Sequence, residues 1–582
     1  MLRVGVDTAT GVLADERHVP RQQTHTRQRR RVSGRALLVA ATLAAFALRL
    51  ALAWPMTGPI VVPDEMGYLA QARWLAGDNS TLLTESPYYH LGYPLLLLPA
   101  ALLGGDDPER FWRLLLVTNA AIGASLVPLL TVLLRRTLAT GPRLCAVAAF
   151  VASCHPGFVL PAGQGWGEIA VPPAVLLWVL AVSRVFQRPR WRTGFLVGLA
   201  AVAVWSVHSR AGLPVLVATA LVVVAALAVR RLPLRAALGV AVSAAVAGLL
   251  VARAQAAALD ALWDDTPVRV GDASIRAVLT PSAAAPFAAQ LGGTLWNALV
   301  STAGLAVLGL AALGAVALRS GRPAAARATA ATALLGALGV WALAALFFVK
   351  AGRADQFLHG RYVETVLALP LAAGVVVLAT ARTQRQLLRL GAVAVLLTVA
   401  CAVVARRVRG DLLETAVHFP FSTNGVMLPS LDPTRVQLET ATVTGVAATV
   451  VVLAVAAVRR WAGVVAVTGL LLASTAYTAT QVYWPLNASR YAGWTPPPTP
   501  PGVEEVAISA EEGFWFEQRA YHFWMPGVRL RQVDLATEPQ PAWRYVLAPP
   551  SWPGAQRPGT RLVWTNNHGT VALYDQGQGT TR

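Results

Sequence analysis

Residues 62–76 read VPDEMGYLAQARWLA and lie between an apolar run that ends near Pro55 and another that begins at Leu91. Pro63 suits the first position of a helix, and Asp64 and Glu65 suit its first turn through the helix dipole. Tyr68, Leu69, Ala72, Leu75 and Ala76 recur at helical spacing, so an amphipathic helix is expected, lying at a membrane surface and ending near Gly77. Taken alone, this accounts fully for both acids as N-terminal helix carboxylates. What else they do depends on the chain around them.

That chain has 582 residues, 55% hydrophobic and 13% charged, with a mean hydropathy of +0.53. Soluble domains carry about 25% charged residues, so this apolar content is solvated by lipid. The net charge of +20 would suggest nucleic acid in a soluble protein. Here the cations come in short clusters between apolar runs, where they set orientation instead, and no nucleic-acid partner is expected. Lys350 is the lone lysine; with the heavy Ala, Val and Leu usage, this points to a GC-rich bacterial coding sequence. Cys145, Cys154 and Cys401 fall inside apolar runs with no zinc-like spacing, which excludes a disulfide scaffold for the exterior parts.

A spanning helix needs roughly 20 apolar residues, within a range of about 17–25. Qualifying runs fall near 36–55, 112–134, 144–160, 168–187, 193–208, 213–230, 236–256, 295–318, 328–349, 363–381, 390–405, 439–458 and 462–483, about thirteen in all. The runs 193–208 and 390–405 are short. The first run follows Arg27, Arg29, Arg30, Arg31 and Arg35, which close a polar tail of residues 1–35 expected to be disordered and cytoplasmic. It exceeds the roughly 7–15 residues of a signal-peptide core, so it reads as an uncleaved span although Ala51-Leu52-Ala53 resembles a cleavage site.

With the N-terminus inside, arginine clusters at 135–143, 188–192, 230–235, 319–327, 382–389 and 459–460 all fall on the cytoplasmic side, and only Arg406, Arg407 and Arg409 fall outside. Leu91–Leu103 is apolar but too short. Counting it as a span would invert every later loop, so it is read as surface-lying or re-entrant. Residues 62–76 then face outward in a loop of residues 56–111, as do 257–294, 406–438 and the tail 484–582. The membrane domain covers 36–483. A stiff Pro-rich linker, 484–502, includes Thr495-Pro-Pro-Pro-Thr-Pro-Pro501. Strand-like stretches at Val503–Ser509, Val528–Val533, Trp543–Leu547, Thr560–Thr565 and Thr570–Tyr574, with a helical stretch Glu511–Phe523, predict a small extracytoplasmic α/β domain over 503–582. Its aromatics, Gly513-Phe-Trp-Phe516, Tyr521-His-Phe-Trp524, Trp543, Trp552 and Trp564, suit core packing and interface contact better than sugar stacking. The expected fold class is an all-α polytopic membrane protein carrying that domain.

Residues 62–76, with their acidic pair, following Tyr68 and Ala-rich helix, resemble the first outer loop of lipid-linked sugar transferases of the GT-C fold. That group includes protein O-mannosyltransferases and the enzymes that add aminoarabinose to lipid A. His90-Leu-Gly-Tyr-Pro-Leu-Leu-Leu-Leu-Pro99 resembles their Pro-Leu surface segment, with one proline in place of the common Pro-Pro. Gly165-Trp-Gly-Glu168 resembles their second acidic position. His208-Ser-Arg210 and His359-Gly-Arg361-Tyr362 resemble their outer-face arginine sites. The resemblance covers roughly 36–381, and its weight lies in motif order and topology. It implies transfer of a sugar from a polyprenyl-phosphate carrier, with inversion, to a cell-envelope glycan, glycolipid or protein.

The residues fit that chemistry. No Gly-rich phosphate loop or dinucleotide fingerprint occurs, and nucleotide sugars are not expected outside the membrane. A carboxylate must take the acceptor proton, and a cation must stabilise the departing lipid phosphate. Asp64 is the expected base, Glu65 its orienter or alternate, and Glu168 a further acid. Tyr68, His90, Arg210, His359, Arg361 and Tyr362 are the expected substrate contacts, with Arg361 and Arg210 for the phosphate.

Plainer readings stand beside these. The arginines can be interfacial, with buried stems, and Glu168 a boundary residue beside Trp166. His90, His155, His208 and His359 suit structural roles better than ligation of a divalent cation, which no spacing supports although it stays open. Asn79-Ser-Thr81 and Asn487-Ala-Ser489 match glycosylation sequons by chance. A transporter or lipid-linked-sugar flippase is the rival class, and a sensor displaying the outer tail is a third. Transporters usually carry midplane charges and internal repeats, whereas these acids cluster at the outer boundary.

Overall fold

The computed structural model describes residues 33–81, 83, 90–263, 283–381, 383–414, 419–492, 494–499, 502–510, 515–535, 537 and 543–577. Nearly all of the polar tail 1–35, parts of 257–294 and 406–438, and Gly513-Phe514 lie outside them. Among the described residues, nine helices are long and apolar enough to cross a membrane, and three further pairs qualify as bent spans. With the shorter apolar helix Trp191–Val207, they match the expected runs one for one.

Three runs expected to be continuous are broken. Pro142–Ser153 and Pro156–Gly163 meet at 88°, because Pro156 forces His155 into extended backbone, at ψ 137°. Arg49 takes up the carbonyls at this break from within the first span, Gly34–Ala53. Fully buried, it donates to Ser153 O (2.9 Å), Phe158 O (3.2 Å) and Ala45 O (2.9 Å). An arginine inside an apolar run thereby supplies donors that the broken helix has lost. Ala284–Ser301 and Leu305–Leu318 meet at 105°, where Ala303 and Gly304 both take left-handed backbone, at φ 47° and 78°. Ala354–Glu364 and Ala368–Thr380 meet at 74°. The short run 390–405, by contrast, belongs to a 30-residue helix, Gln384–Leu413. That helix runs past its apolar centre to a kink at Arg409, whose backbone leaves the helical region (φ −138°, ψ 31°).

Small residues let the spans approach closely. A Cβ on Gly309 would collide with Pro370 O, and one on Gly374 with Leu305 O, so Leu305–Leu318 and Ala368–Thr380 pack backbone to backbone.

The expected amphipathic surface helix is a covered one. Pro63–Leu75, hereafter the loop helix, buries every residue from Glu65 to Arg73. Gly92–Gly104, Leu234–Leu262 and Trp515–Trp524 all pack on it, so no wide face is left for lipid. Gly92–Gly104 is too short to span and presents Leu95, Leu96, Leu102 and Leu103 outward.

The C-terminal part forms one five-stranded sheet, ordered β2-β1-β3-β5-β4. Its strands are β1 Glu505–Ser509, β2 Arg529–Val533, β3 Tyr545–Ala548, β4 Arg561–Thr565 and β5 Ala572–Asp575. β1 runs parallel to β2 and β3; β5 is antiparallel to β3 and β4. The helix Trp515–Trp524 connects β1 to β2. Tyr521, Phe523, Trp524 and Trp552 are buried. Phe523 stacks on Phe111 (5.8 Å) and meets Trp112 edge-on (6.1 Å), tying the sheet to the bundle.

A second tie lies in Trp484–Tyr491, the clamp helix, which grips the chain just ahead of the loop helix. Thr57 N and Oγ1 donate to Asn487 Oδ1 (2.9 and 3.0 Å), and Asn487 Nδ2 donates to Gly58 O (2.8 Å). Tyr491 OH donates to Pro59 O (2.6 Å), and Arg490 donates to Ile60 O. Asn487, buried and bonded on both sides, cannot serve as a glycosylation acceptor.

Candidate active site

The chain enters the loop helix through a strained residue. Val61 has φ 62°, a left-handed conformation that is a genuine outlier for a β-branched side chain. Its N–H donates to Glu65 Oε2 (2.9 Å), and Glu65 Oε1 accepts from Gly165 N (2.7 Å). Glu65 is fully buried. Burial pushes its carboxyl up to about 7, against the opposing pull of backbone N–H groups at Gly165, Val61 and Ile60 and of Arg490. This acid therefore fastens two backbone segments and has no open oxygen.

Asp64, one residue earlier, points the other way. Its side chain is 22% exposed and lies 3.5 Å from Arg361 Nη2. Arg361 comes from Arg361–Glu364, a single helical turn at the 74° bend. It also pairs closely with Glu168, which is 3% exposed, and its guanidinium stacks on Trp166, 4.0 Å from the ring centre. His208 Nε2 lies 3.5 Å from Glu168 Oε1. Segments far apart in sequence thus assemble one row, Asp64, Arg361, Glu168 and His208.

Tyr362 stands beside this row. Its ring meets His359 (4.4 Å), His208 (5.5 Å) and the guanidinium of Arg210 (4.7 Å). Arg210 also lies over Phe347 at 3.7 Å, and among the described residues no carboxylate pairs with it. Glu168, His208, Arg210 and Tyr362 line a small internal cavity. Below it runs an apolar groove of about 500 Å³, lined by Leu213, Val217 and Leu221 of Ser209–Ala228 and by Leu335, Leu338 and Leu346 of Ala324–Phe347.

Two expected substrate contacts serve the scaffold. Tyr68 OH donates to Val207 O (3.4 Å) and its ring meets Tyr93 edge-on. His90 packs against Trp205 (5.2 Å) and bonds Gln255, and burial lowers its ring to about 4. His155 accepts from Gly157 N (3.1 Å). Among the described residues no three of His, Cys, Asp and Glu converge as metal ligands. Arg361 fills the space between Asp64 and Glu168, so these donors do not fit a divalent cation.

No family model and no curated protein sequence matches the chain. Among solved structures, ArnT from Cupriavidus metallidurans bound to undecaprenyl phosphate superposes with a TM-score of 0.52 at 16% identity, covering 93% of this chain and 97% of that one. The chain has a GT-C-like fold. ArnT from the same organism in the apo state gives a TM-score of 0.51 at 17% identity with the same coverage.

Within this GT-C-like frame, sequence reasoning missed several residues. Glu364, buried one turn after Arg361, fits only because residue 157 is glycine: a Cβ there would strike its carboxylate. The carboxylate three positions after Arg361 was a readable signal. Phe419, 5.8 Å from the Arg361 guanidinium, and Arg490, beside Glu65, carried none.

Proposed function

We propose that the chain is a membrane glycosyltransferase acting at the outer face of a bacterial cell membrane, with its N-terminus inside and its sheet domain outside. It moves a sugar from a polyprenyl-phosphate carrier to a hydroxyl of a cell-envelope acceptor. The observation that carries this reading is an open carboxylate held against a sealed one by a single guanidinium: Asp64, Arg361 and Glu168. The fold shared with ArnT, which was crystallised with undecaprenyl phosphate, supports the donor class.

In this reading the acceptor hydroxyl gives its proton to Asp64 as its oxygen attacks the anomeric carbon. The bond from that carbon to the phosphate oxygen breaks, and its electron pair leaves with the lipid phosphate. Attack opposite the leaving group inverts the centre. Arg210, lying on two rings at the head of the apolar groove, stabilises the departing phosphate. The groove takes the polyprenyl tail. Glu168 positions Arg361, Arg361 positions Asp64, and Glu65 fixes the turn from which Asp64 starts. His359 and Tyr362 line the donor side, while Tyr68 and His90 brace the loop.

The test is Asp64→Asn, assayed with radiolabelled polyprenyl-phosphate sugars and membrane acceptor extracts. Transfer should fall about 10²–10⁴-fold with an unchanged thermal midpoint. Full activity in the variant removes Asp64 as base. If the wild type transfers from no donor but moves labelled carrier across proteoliposomes, the flippase reading replaces this one.

A further inference from the structure

The loop helix is held by the sheet domain as well as by the bundle, and the helix Trp515–Trp524 reaches both of its flanks. Trp524 covers Gly58, in the segment that leads to Asp64: a Cβ on Gly58 would meet Trp524 Cζ2 at 2.8 Å and the Tyr491 ring at 2.7 Å. Its neighbour Phe523 reaches the last turn of the loop helix, where the Arg73 guanidinium lies 4.9 Å from its ring centre. The Phe111 ring of Pro108–Ala124 is 5.5 Å from the same guanidinium, and Nη1 donates to His522 O (3.4 Å). Arg73 is buried among these groups. Burial pushes its pKa down to about 10, against the pull of Asp78 and Asp106, so it stays charged at neutral pH. Apolar packing alone would need no charge here. A buried cation set on two rings and a carbonyl fixes one relative placement of the loop helix, the bundle and the sheet domain.

That placement matters at Asp64. Arg73 and Asp64 lie roughly 14 Å apart along one helix at 1.5 Å per residue, so a tilt of about 5° about one end moves the other by about 1 Å. Asp64 already stands 3.5 Å from Arg361, at the outer limit of a hydrogen bond. A misplacement of about 1 Å at a reacting group can cost about a hundredfold in rate. The entry to the loop helix is fastened by Glu65 and by the clamp helix; its exit is fastened by Arg73. We propose that Arg73 is a positioning residue, and that the sheet domain, through Phe523 and the His522 carbonyl, sets the stance of Asp64. This rests on the transferase reading and gives the sheet domain a part in catalysis that needs no ligand of its own.

The experiment uses the full chain in lipid nanodiscs, followed by amide hydrogen exchange and by transfer from radiolabelled polyprenyl-phosphate sugars. In Arg73→Met, which keeps an unbranched side chain, exchange at residues 57–66 should rise about tenfold. There kcat should fall about tenfold to a hundredfold with the donor KM unchanged, because Arg210 and the apolar groove are untouched. Phe523→Leu removes the ring from the sheet side and should give the same pattern. Combined with Arg73→Met it should add no further loss, since both break one contact. A part in stability alone would lower the melting temperature yet leave kcat intact well below it. The proposal is overturned if the change in exchange stays within residues 70–77, if kcat holds in Arg73→Met, or if the two losses multiply in the double variant. Should Arg73→Met not fold, Phe523→Leu carries the first two tests. A wild type that transfers nothing defeats the transferase reading alone, and the exchange pattern then decides the coupling.

Discussion

Two carboxylates are sealed into the wall around Asp64, and opposite means neutralise them. At Glu168 charge answers charge: Arg361 and His208 close on it. At Glu65 the partners are backbone N–H groups of Val61 and Gly165, with a guanidinium only nearby. The first arrangement is an ion pair that is expensive to break from one side. The second pins a strained turn and leaves a carboxyl that titrates near neutral pH. Between them Asp64 keeps its access to solvent. Adjacent acids in the sequence have therefore been given different duties, and the residue that shares duty with Asp64 lies almost three hundred positions away.

This contrast can be broken from either side. Arg361→Met should be most severe, since it strands Glu168 in a buried site; the expected loss of stability is about 3–5 kcal/mol, read as a lowered denaturation midpoint with transfer abolished. Glu65→Gln should remove a pH dependence and weaken the turn at every pH, since a carboxamide has one acceptor oxygen for the two N–H groups of Val61 and Gly165. The folded carboxyl titrates at about 7 against 4.5 for an ordinary glutamate, so its stabilising contribution is complete below about pH 4.5 and is lost as pH rises through about 7, a change of about 3 kcal/mol. Wild-type melting temperature should fall across that window, whereas the variant should be flat. A slope that survives in the variant would assign the titration elsewhere.

Arg210→Met sharpens the contrast from the donor side. With no carboxylate to strand, it should leave the melting temperature nearly unchanged and lower kcat/KM for the lipid donor about tenfold to a hundredfold. The mildest change is Gly165→Ala, whose new Cβ would meet Leu69 Cδ2 at 2.9 Å and Glu65 Cγ at 3.1 Å. It should destabilise by about 1–2 kcal/mol and shift the pH at which Glu65 titrates, as followed by melting temperature against pH.

Much of this was legible in the sequence. The spans follow from run length, the strands from short strand-like stretches in the tail, and Asp64, Glu168, Arg210 and Arg361 from motifs that the fold does bring to one end of the bundle. The bends were partly legible: Pro156 after His155 forbids a straight helix, whereas Ala303 in left-handed backbone has no signal of its own. Arg49 reads as an anomaly in an apolar run until the broken carbonyls it serves are seen. The burial of the loop helix was not legible, because its covers lie far along the chain, at 92–104, 234–262 and 515–524. Periodicity reports which residues avoid water, and it cannot say whether lipid or protein does the covering.

The clamp helix sets an order of events in biosynthesis. The backbone at Thr57–Ile60, which leads into Val61 and Asp64, is held by Asn487, Arg490 and Tyr491. A nascent chain has therefore threaded nearly all its spans into the bilayer before the first loop can settle. Truncated products that stop short of residue 484 should insert, yet leave the backbone at Thr57–Ile60 without its clamp.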